Sequence, residues 1–226
     1  MANGVTRYRA AVFDMDGTVV DNMSFHWRAW TETLRALGVS VDGRDFQRRL
    51  AGKTNAESFS EMLNRPLSAS ELERYSGDKE QRYREIYAPH LAPVRGLDDL
   101  LGRIAHRGLK LAIATAAPRE NRDFVLSGLG LHGAFAAVVG PEHAPRGKPY
   151  PDLYLAAARA LGLSPATCLV FEDAPNGVVA ARAAGMDVVG VTTSTCREEL
   201  LAAGAIWVCA DFDSLPSALE QALDLT

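Results

Sequence analysis

Residues 10–18, which read AAVFDMDGT, contain the pattern that decides the fold. Four consecutive apolar residues, 10–13, are typical of a strand buried on both faces, as in a parallel sheet. Asp14 and Asp16 follow directly, and Gly17 permits a tight turn after them. Because open parallel sheets bind ligands beyond the carboxyl ends of their strands, this segment predicts a ligand site at one edge of a sheet.

Short apolar runs of the same kind recur along the chain and alternate with helical patterns. We predict strands over residues 10–13, 109–114, 136–139, 168–171, 188–191 and 206–208. Helical patterns between them include residues 121–129, 151–161 and 177–184. Pro151 suits a first helical turn, and Gly162 and Gly185 suit helix ends. The alternation predicts an α/β fold, a Rossmann-like doubly wound parallel sheet with helices on both faces.

Residues 22–91 depart from this alternation, since they contain only helical patterns. We predict helices over residues 24–37, 56–63 and 70–87, the last broken near Gly77. Four apolar residues fall on one face of the first of these helices: Trp27, Trp30, Leu34 and Leu37. The sequence therefore predicts a small α-helical domain, 22–91, inserted into a core domain made of 1–21 and 92–226.

The composition excludes several functional classes. Hydrophobic residues make up 47% of the 226 residues, which is enough for a sizeable core. The formal net charge of -4 disfavours non-specific nucleic-acid binding. Cys168 and Cys209 lie in apolar runs and are predicted to be small buried residues. With no recognisable leader and no apolar stretch of about 20 residues, we expect a cytoplasmic protein that binds neither membrane nor nucleic acid, and a monomer.

The loops after the next three strands carry a hydroxyl, two backbone amides, a lysine and two acids: Thr115, Ala116, Ala117, Lys148, Glu172 and Asp173. Carboxylates brought close together repel each other unless a cation joins them. Oxygen-only ligands suit Mg²⁺, which also binds substrate phosphate. We therefore predict a Mg²⁺ site formed by Asp14 with one or both of Glu172 and Asp173, to which Asp16 adds its backbone carbonyl.

The same residues suit phosphoryl transfer. A carboxylate can act as a covalent nucleophile and form an aspartyl-phosphate. We predict that Asp14 is this nucleophile, because its position at the end of a strand holds it rigidly. Asp16, two residues further on, is placed to protonate the leaving oxygen and later to deprotonate the acceptor. Lys148 supplies a point charge for the phosphoryl group. The Thr115 hydroxyl and the amides of residues 116 and 117 are predicted to form an anion cradle.

Four segments resemble the motifs of the haloacid dehalogenase superfamily: FDMDGT at 13–18, ATA at 114–116, GKP at 147–149 and FEDAPNG at 171–177. The resemblance covers nearly the whole chain and keeps the order of the motifs. It implies a Rossmann-like core and identifies residues 22–91 as a small helical cap. The second acid, Asp16, resembles the phosphotransferase branch of the superfamily rather than the dehalogenases.

Within the superfamily, residues 21–30 (DNMSFHWRAW) resemble the opening of the cap in the β-phosphoglucomutase-like subfamily. The resemblance implies substrate-binding roles for His26, Trp30 and Lys79. The residues alone leave His26 open as a buried structural histidine and favour a solvated charge for Lys79. At 52–55 (GKTN), Asn55 stands where the mutases carry an arginine, and Lys53 can replace it only as a point charge.

The leading functional hypothesis is a Mg²⁺-dependent phosphatase that hydrolyses a small phosphorylated metabolite, such as a sugar phosphate, through an aspartyl-phosphate. The first alternative is a β-phosphoglucomutase, which shares every core residue but transfers the phosphoryl group to a sugar hydroxyl. Because Asn55 cannot make the bidentate contact that an arginine makes to phosphate, it weakens the mutase hypothesis. A more distant alternative is a non-enzymatic phospho-acceptor domain. The sequence does not identify the substrate.

Overall fold

The predicted apolar runs form one six-stranded sheet in the computed structural model, which describes residues 7–40 and 53–225. The strands are β1 (Ala10–Phe13), β2 (Lys110–Ala114), β3 (Ala137–Val139), β4 (Cys168–Glu172), β5 (Asp187–Val191) and β6 (Trp207–Cys209). Every neighbouring pair is parallel, and the spatial order is β3-β2-β1-β4-β5-β6. The predicted doubly wound α/β fold is confirmed, and no strand boundary differs from the predicted one by more than one residue.

The described residues also form nine α-helices. They are α1 (Met23–Ala36), α2 (Asn55–Leu63), α3 (Ala69–Tyr87), α4 (Leu97–His106), α5 (Arg119–Gly128), α6 (Asp152–Leu161), α7 (Pro175–Ala183), α8 (Arg197–Ala203) and α9 (Ser217–Ala222). The sequence patterns did not single out α4, α8 or α9. Helices α8 and α9 are short, with seven and six residues. Helix α4 has only ten residues, so its helical pattern of apolar residues is brief, and it lies directly after the predicted insertion.

Both faces of the central strands are buried, which explains why their sequences are continuously apolar. On one face, Val12 and Val170 pack in a core cluster with residues of α6 and α7, such as Leu153 and Val178. On the other face, the rings of Phe13 and Phe171 stack with centroids 4.5 Å apart. The two innermost strands are therefore fixed against each other from both sides.

The strand order places a topological switch point between β1 and β4. From β1 the chain proceeds outward through β2 and β3, and it then returns to β4 and proceeds the other way. The register pairs Phe13 with Phe171, so Asp14 and Glu172 come next on neighbouring strands. Ligands of open α/β sheets bind in the crevice at this point, beyond the carboxyl ends of the strands. The fold thus directs the acidic loops to the usual ligand position.

The chain divides into two compact units, Met1–Asp21 with Ala92–Thr226, and Asn22–Leu91. The described part of the second unit consists of α1, α2, α3 and the single 3₁₀ turn Ala88–His90. Its apolar centre contains Trp30, Leu34 and Phe59. Thr54 and Ser68 each form a capping box at the start of α2 and α3. Local capping and a small aromatic core therefore define this unit.

The predicted break near Gly77 is wrong, because α3 runs without interruption from Ala69 to Tyr87. A glycine inside a helix costs only about 1 kcal/mol relative to alanine. The capping box at Ser68 and the burial of Tyr83 and Tyr87 outweigh that cost. Tertiary packing rather than local propensity decides the length of this helix.

Two expectations drawn from composition can be compared with the structure. Cys168 and Cys209 are buried, as predicted, whereas Cys196 is exposed, and all three are free thiols. Among the helices of residues 7–40 and 53–225, none combines the length and apolarity that crossing a bilayer requires.

Candidate active site

Asp14 and Glu172 meet at the switch point because β1 and β4 run side by side. The backbone N–H of Asp14 donates to the Phe171 carbonyl at 3.0 Å, which extends the strand pairing up to the first acid. Asp14 is 7% exposed and Glu172 is 1% exposed. The strand pairing therefore holds two carboxylates in a buried, predetermined position.

Lys148 connects these two carboxylates. Its Nζ atom donates to Asp14 Oδ1 at 2.6 Å and to Glu172 Oε1 at 2.5 Å, and the side chain is buried. In a setting with little water, each contact is a charge-assisted hydrogen bond of the strong kind. The structure thus brings together three of the residues that the sequence predicted for the site.

Glu172 is held by three donors. Besides Lys148, the Tyr154 hydroxyl donates to its Oε1 at 2.9 Å, and the Ala174 N–H donates to its Oε2 at 2.9 Å. Both carboxylate oxygens therefore accept hydrogen bonds that fix the orientation of the side chain. Sequence reasoning missed Tyr154, because a tyrosine in the apolar pattern of α6 looks like a core residue.

Asp173 lies beside these residues, and the Ser194 hydroxyl donates to its Oδ2. The neighbouring Thr193 hydroxyl donates to the Gly17 carbonyl. Gly17 has a φ of +79°, and a Cβ atom there would also overlap the carboxylate of Asp173. The loop after β5 thus completes the site. Sequence reasoning missed Thr193 and Ser194. They could have been found because they follow directly after a predicted strand, as the other site residues do.

Asp16 occupies a different position from the other acids. It is only partly buried, and its backbone forms a bridge with Val20 across the turn after β1. The cluster of close carboxylates contains Asp14, Glu172 and Asp173, and the side chain of Asp16 is not part of it. The separate task predicted for Asp16, and its contribution of a backbone carbonyl to a metal, stay predictions.

Thr115 follows β2 directly and lies at the edge of the sheet where the site is. Its N–H donates to the Val139 carbonyl at 3.0 Å, and its side chain is buried. The Ala117 N–H donates to the Thr115 hydroxyl at 3.1 Å, so one of the two amides of the predicted anion cradle is bonded within its own loop. The physical reason is that the loop folds back and uses one amide to fix the hydroxyl. That hydroxyl keeps its own proton to donate, and Ala116 is partly exposed.

The acid cluster fits a divalent cation. Oxygen atoms of Asp14, Glu172 and Asp173 all lie within 4.8 Å of one another, and all three residues are buried. When ionised, they bring three negative charges against the single positive charge of Lys148. An excess of buried negative charge is costly unless a cation or protons compensate it. A hard, oxygen-binding ion such as Mg²⁺ would supply that compensation.

The pKa values reflect this imbalance. Burial raises the pKa of Asp14 to about 7, against the effect of Lys148 and with the help of Glu172. Burial, Glu172 and Asp14 raise the pKa of Asp173 well above its ordinary range. Burial alone would lower the pKa of Lys148, but Asp14 and Glu172 outweigh it and hold that pKa well above its usual value. Lys148 is therefore a permanent cation, whereas the acids need a further positive charge.

The second unit contains a polar cluster of its own. The Lys79 Nζ lies 3.0 Å from His26 Nδ1 and donates to Glu80 Oε1 at 2.9 Å. Asn55 donates to the same Glu80 oxygen at 2.8 Å, and the His26 ring stacks on Tyr83. Lys79 is 3% exposed, so the solvated position that the residues alone favour for it is wrong. Sequence reasoning missed Glu80, since an acid in a polar helix resembles a surface residue.

The other two residues predicted for substrate binding lie elsewhere in this unit. Trp30 belongs to the apolar centre, and its ring is 5.1 Å from Lys79 Nζ. Lys53 pairs with Glu61 at the surface, with 2.5 Å between Nζ and Oε2. Gly52, which precedes it in the GKTN segment, lies outside the described residues.

Comparison with known proteins agrees with this geometry. Residues 8–185 match the family described as haloacid dehalogenase-like hydrolase. The chain is 34% identical over 224 residues to protein CbbY of Rhodobacter capsulatus, covering 95% of this chain and 97% of that protein. It is 34% identical over 190 residues to the fructose-1-phosphate phosphatase YqaB of Escherichia coli (strain K12), covering 82% and 97%. The crystal structure of β-phosphoglucomutase from Clostridium difficile has a TM-score of 0.84 at 25% identity, covering 96% and 97%.

The fold and its strand-end residues define an α/β enzyme with phosphatase or phosphotransferase activity. The chain belongs to the haloacid dehalogenase-like hydrolases, as its four motifs predicted. Membership of a hydrolase family decides against the alternative of a non-enzymatic phospho-acceptor domain.

Gly177 tests the orientation of Glu172. A Cβ atom at Gly177 in α7 would overlap the Glu172 carboxylate. We expect Gly177→Ala to displace that carboxylate from Lys148 and to lower kcat for phosphate-ester hydrolysis by roughly 10-fold or more, because small misplacements in a site are costly. The matched control is Gly102→Ala in α4, where the added methyl group meets no atom within 4 Å. Steady-state kinetics should show unchanged activity for the control; equal activity in both variants would contradict the assigned role.

The raised pKa of Asp14 predicts pH-dependent metal binding. Mg²⁺ requires ionised carboxylates, so below pH 7 protons compete with it, and the apparent affinity should fall up to about tenfold per pH unit. Because the pKa of Asp173 is also raised well above its ordinary range, a weaker dependence should continue above pH 7 until that carboxyl is ionised as well. Isothermal titration calorimetry of the metal-free protein with Mg²⁺ should also show proton release near pH 7. An affinity that stays constant between pH 6 and 8 would refute this prediction.

Proposed function

We propose that the chain is a Mg²⁺-dependent phosphatase that hydrolyses a small phosphorylated metabolite, a sugar monophosphate, through an aspartyl-phosphate on Asp14. The observation that carries the proposal is the buried contact of Lys148 with Asp14 and Glu172, beside Asp173 at the switch point of the sheet. This arrangement combines a fixed carboxylate with a permanent cation, as phosphoryl transfer requires. The substrate class is supported by the likeness to a fructose-1-phosphate phosphatase.

The reaction consists of two displacements at phosphorus. In the first, a carboxylate oxygen of Asp14 forms a bond to phosphorus, the bond to the sugar oxygen breaks, and Asp16 gives that oxygen a proton. In the second, a water oxygen forms a bond to phosphorus and gives a proton to Asp16, the bond between phosphorus and the Asp14 oxygen breaks, and inorganic phosphate leaves with the Asp14 carboxylate restored. One acid can serve both steps because it is protonated in the first and ionised in the second.

The remaining residues of the site bind the phosphoryl group. Lys148 provides charge to its oxygens, and the Thr115 hydroxyl with the Ala116 amide provides hydrogen bonds. Asp14, Asp173, Glu172 and the carbonyl of residue 16 would hold Mg²⁺, which would neutralise negative charge on the transferred group and on these carboxylates. Such electrostatic stabilisation is commonly the largest contribution to catalysis.

We propose that the unit Asn22–Leu91 selects the substrate through His26, Trp30, Asn55 and Lys79, with Lys53 at the periphery. Among the described residues of this unit, both lysines are paired with acids, which supports a monophosphate. Lys79 is paired with the buried Glu80, and Lys53 is paired with Glu61. A second phosphate group needs uncompensated positive charge, which these two lysines do not supply. The neutral Asn55 suits a sugar hydroxyl.

Substitution of the two aspartates tests the mechanism. We expect Asp14→Asn to abolish both turnover and phospho-enzyme formation, because the nucleophile is lost. Asp16→Asn should lower kcat by about 10²–10⁴-fold while Asp14 can still be phosphorylated. Intact-protein mass spectrometry after an acid quench measures the phospho-enzyme, and the exposed Asp98→Asn serves as the control. Substantial turnover by Asp14→Asn would disprove the nucleophile assignment.

The mutase alternative predicts a different product. The wild-type protein is incubated with Mg²⁺, β-glucose 1-phosphate and a catalytic amount of the bisphosphate. Because neither lysine of the second unit is uncompensated, we expect inorganic phosphate rather than glucose 6-phosphate. Coupled assays for both products decide the matter, and rapid isomerisation without phosphate release would reverse the order of the two hypotheses. The predictions of a monomer in the cytoplasm stay predictions.

A further inference from the structure

Arg122 is a buried cation that the catalytic scheme does not use. It lies in the first turns of α5, and its side chain is 5% exposed. The guanidinium reaches back along the chain, where Nη1 donates to the Ala117 carbonyl at 2.9 Å. The same group forms a two-pronged ion pair with the carboxylate of Glu142. We call these three groups the Arg122 brace.

Local forces do not favour an arginine at this position. A positive charge near a helix N-terminus opposes the helix dipole, and burial of the guanidinium adds a desolvation cost. The contacts with Glu142 and the Ala117 carbonyl must offset both. Burial alone would raise the pKa of Glu142, but the hydrogen bond from Arg122 holds it below its ordinary value. Arg122 is therefore retained by tertiary contacts.

Gly140 shows how closely the brace is packed. Its backbone is extended, with φ −122° and ψ −173°, so the conformation itself does not require glycine. A Cβ atom at this position would overlap the guanidinium of Arg122. The side chain of Arg122 thus fills the space beside the end of β3, where any larger residue would displace it.

The brace connects two loops that follow neighbouring strands. Ala117 belongs to the loop after β2, whose Thr115 hydroxyl receives the Ala117 N–H. Glu142 lies in the single turn Pro141–His143 after β3, at the start of the segment that leads to Lys148. One guanidinium therefore fixes the relative position of both loops. Each of them carries a group that, in the proposed function, binds the phosphoryl oxygens.

We propose that Arg122 is a positioning residue that holds the Thr115–Ala117 loop in register with the loop that carries Lys148. The inference rests on the proposed function, since it assigns a role at that same site. Its physical basis is that the planar guanidinium has several donors in a rigid fork and can bond a carbonyl and a carboxylate at once. A lysine can direct its charge to either group but does not reproduce the fork.

The test compares Arg122→Met and Arg122→Lys with Arg119→Met. Arg119 is the matched control, because it begins the same helix but is 81% exposed and pairs only with Asp123 at the surface. The measurements are kcat and KM for the best phosphate ester, and the dissociation constants of orthovanadate and inorganic phosphate with Mg²⁺ present. Thermal unfolding of each variant reports separately on stability.

We expect Arg122→Met to lower kcat by about 10- to 100-fold, as a misplacement of about 1 Å does, and to weaken orthovanadate binding. Arg122→Lys should recover part of the loss, and Arg119→Met should match the wild type. A merely structural role would lower the unfolding temperature but leave kcat and the vanadate affinity of the folded protein unchanged. That result would overturn the inference.

A second variant covers the case in which Arg122→Met does not fold. Glu142 is half exposed, and Glu142→Gln removes the charge that faces Arg122 but keeps an oxygen that can accept its hydrogen bond, so it weakens the brace without removing it. It should lower kcat and phosphate affinity in the same direction, and unchanged values would again overturn the inference. If the wild type hydrolysed no phosphate ester, the proposed function would fail. The phosphate-binding measurements would still decide whether Arg122 positions the two loops.

Discussion

The buried ammonium of Lys148, placed between the carboxylates of Asp14 and Glu172, is the interaction on which the site depends. Its two partners are brought side by side by the parallel pairing of β1 with β4. Tyr154 and the backbone of residue 174 hold Glu172 in place, so its carboxylate is oriented to accept the hydrogen bond from the lysine. The apolar core of the sheet thus serves as a rigid support for charges that would otherwise repel each other.

Excess negative charge is the second feature that the architecture must accommodate. Three buried acids share one lysine, and burial raises the pKa of Asp14 and Asp173. The protein alone does not balance this charge, because closely spaced carboxylates ionise together only when a cation joins them. In the proposed function, the charge of the phosphoryl group would be neutralised by Lys148 and by the cation that these carboxylates could bind.

The smaller unit, Asn22–Leu91, is organised on a different principle. Its polar cluster balances Lys79 against Glu80, and Asn55 bonds the same carboxylate. Burial alone would raise the pKa of Glu80, but Lys79 and His26 hold it below its ordinary value. Among the described residues, the first unit thus holds a buried excess of negative charge at its site, whereas the buried lysine of the second unit is compensated by an acid. This difference is what the proposed preference for a monophosphate relies on.

The sequence by itself determined the doubly wound sheet and the acids at its edge, because continuous apolar runs and the residues after them depend on local order along the chain. It also indicated Lys148 and Thr115. Only the tertiary structure decided which charges are compensated, since partners such as Glu80 and Arg122 look like ordinary helix-surface residues. Likewise, α3 continues through Gly77 because distant packing outweighs a local preference. Contacts between residues far apart in sequence leave no periodic pattern in it. For this physical reason, the sequence predicted the strands and the acids that follow them but not the partners of the buried charges.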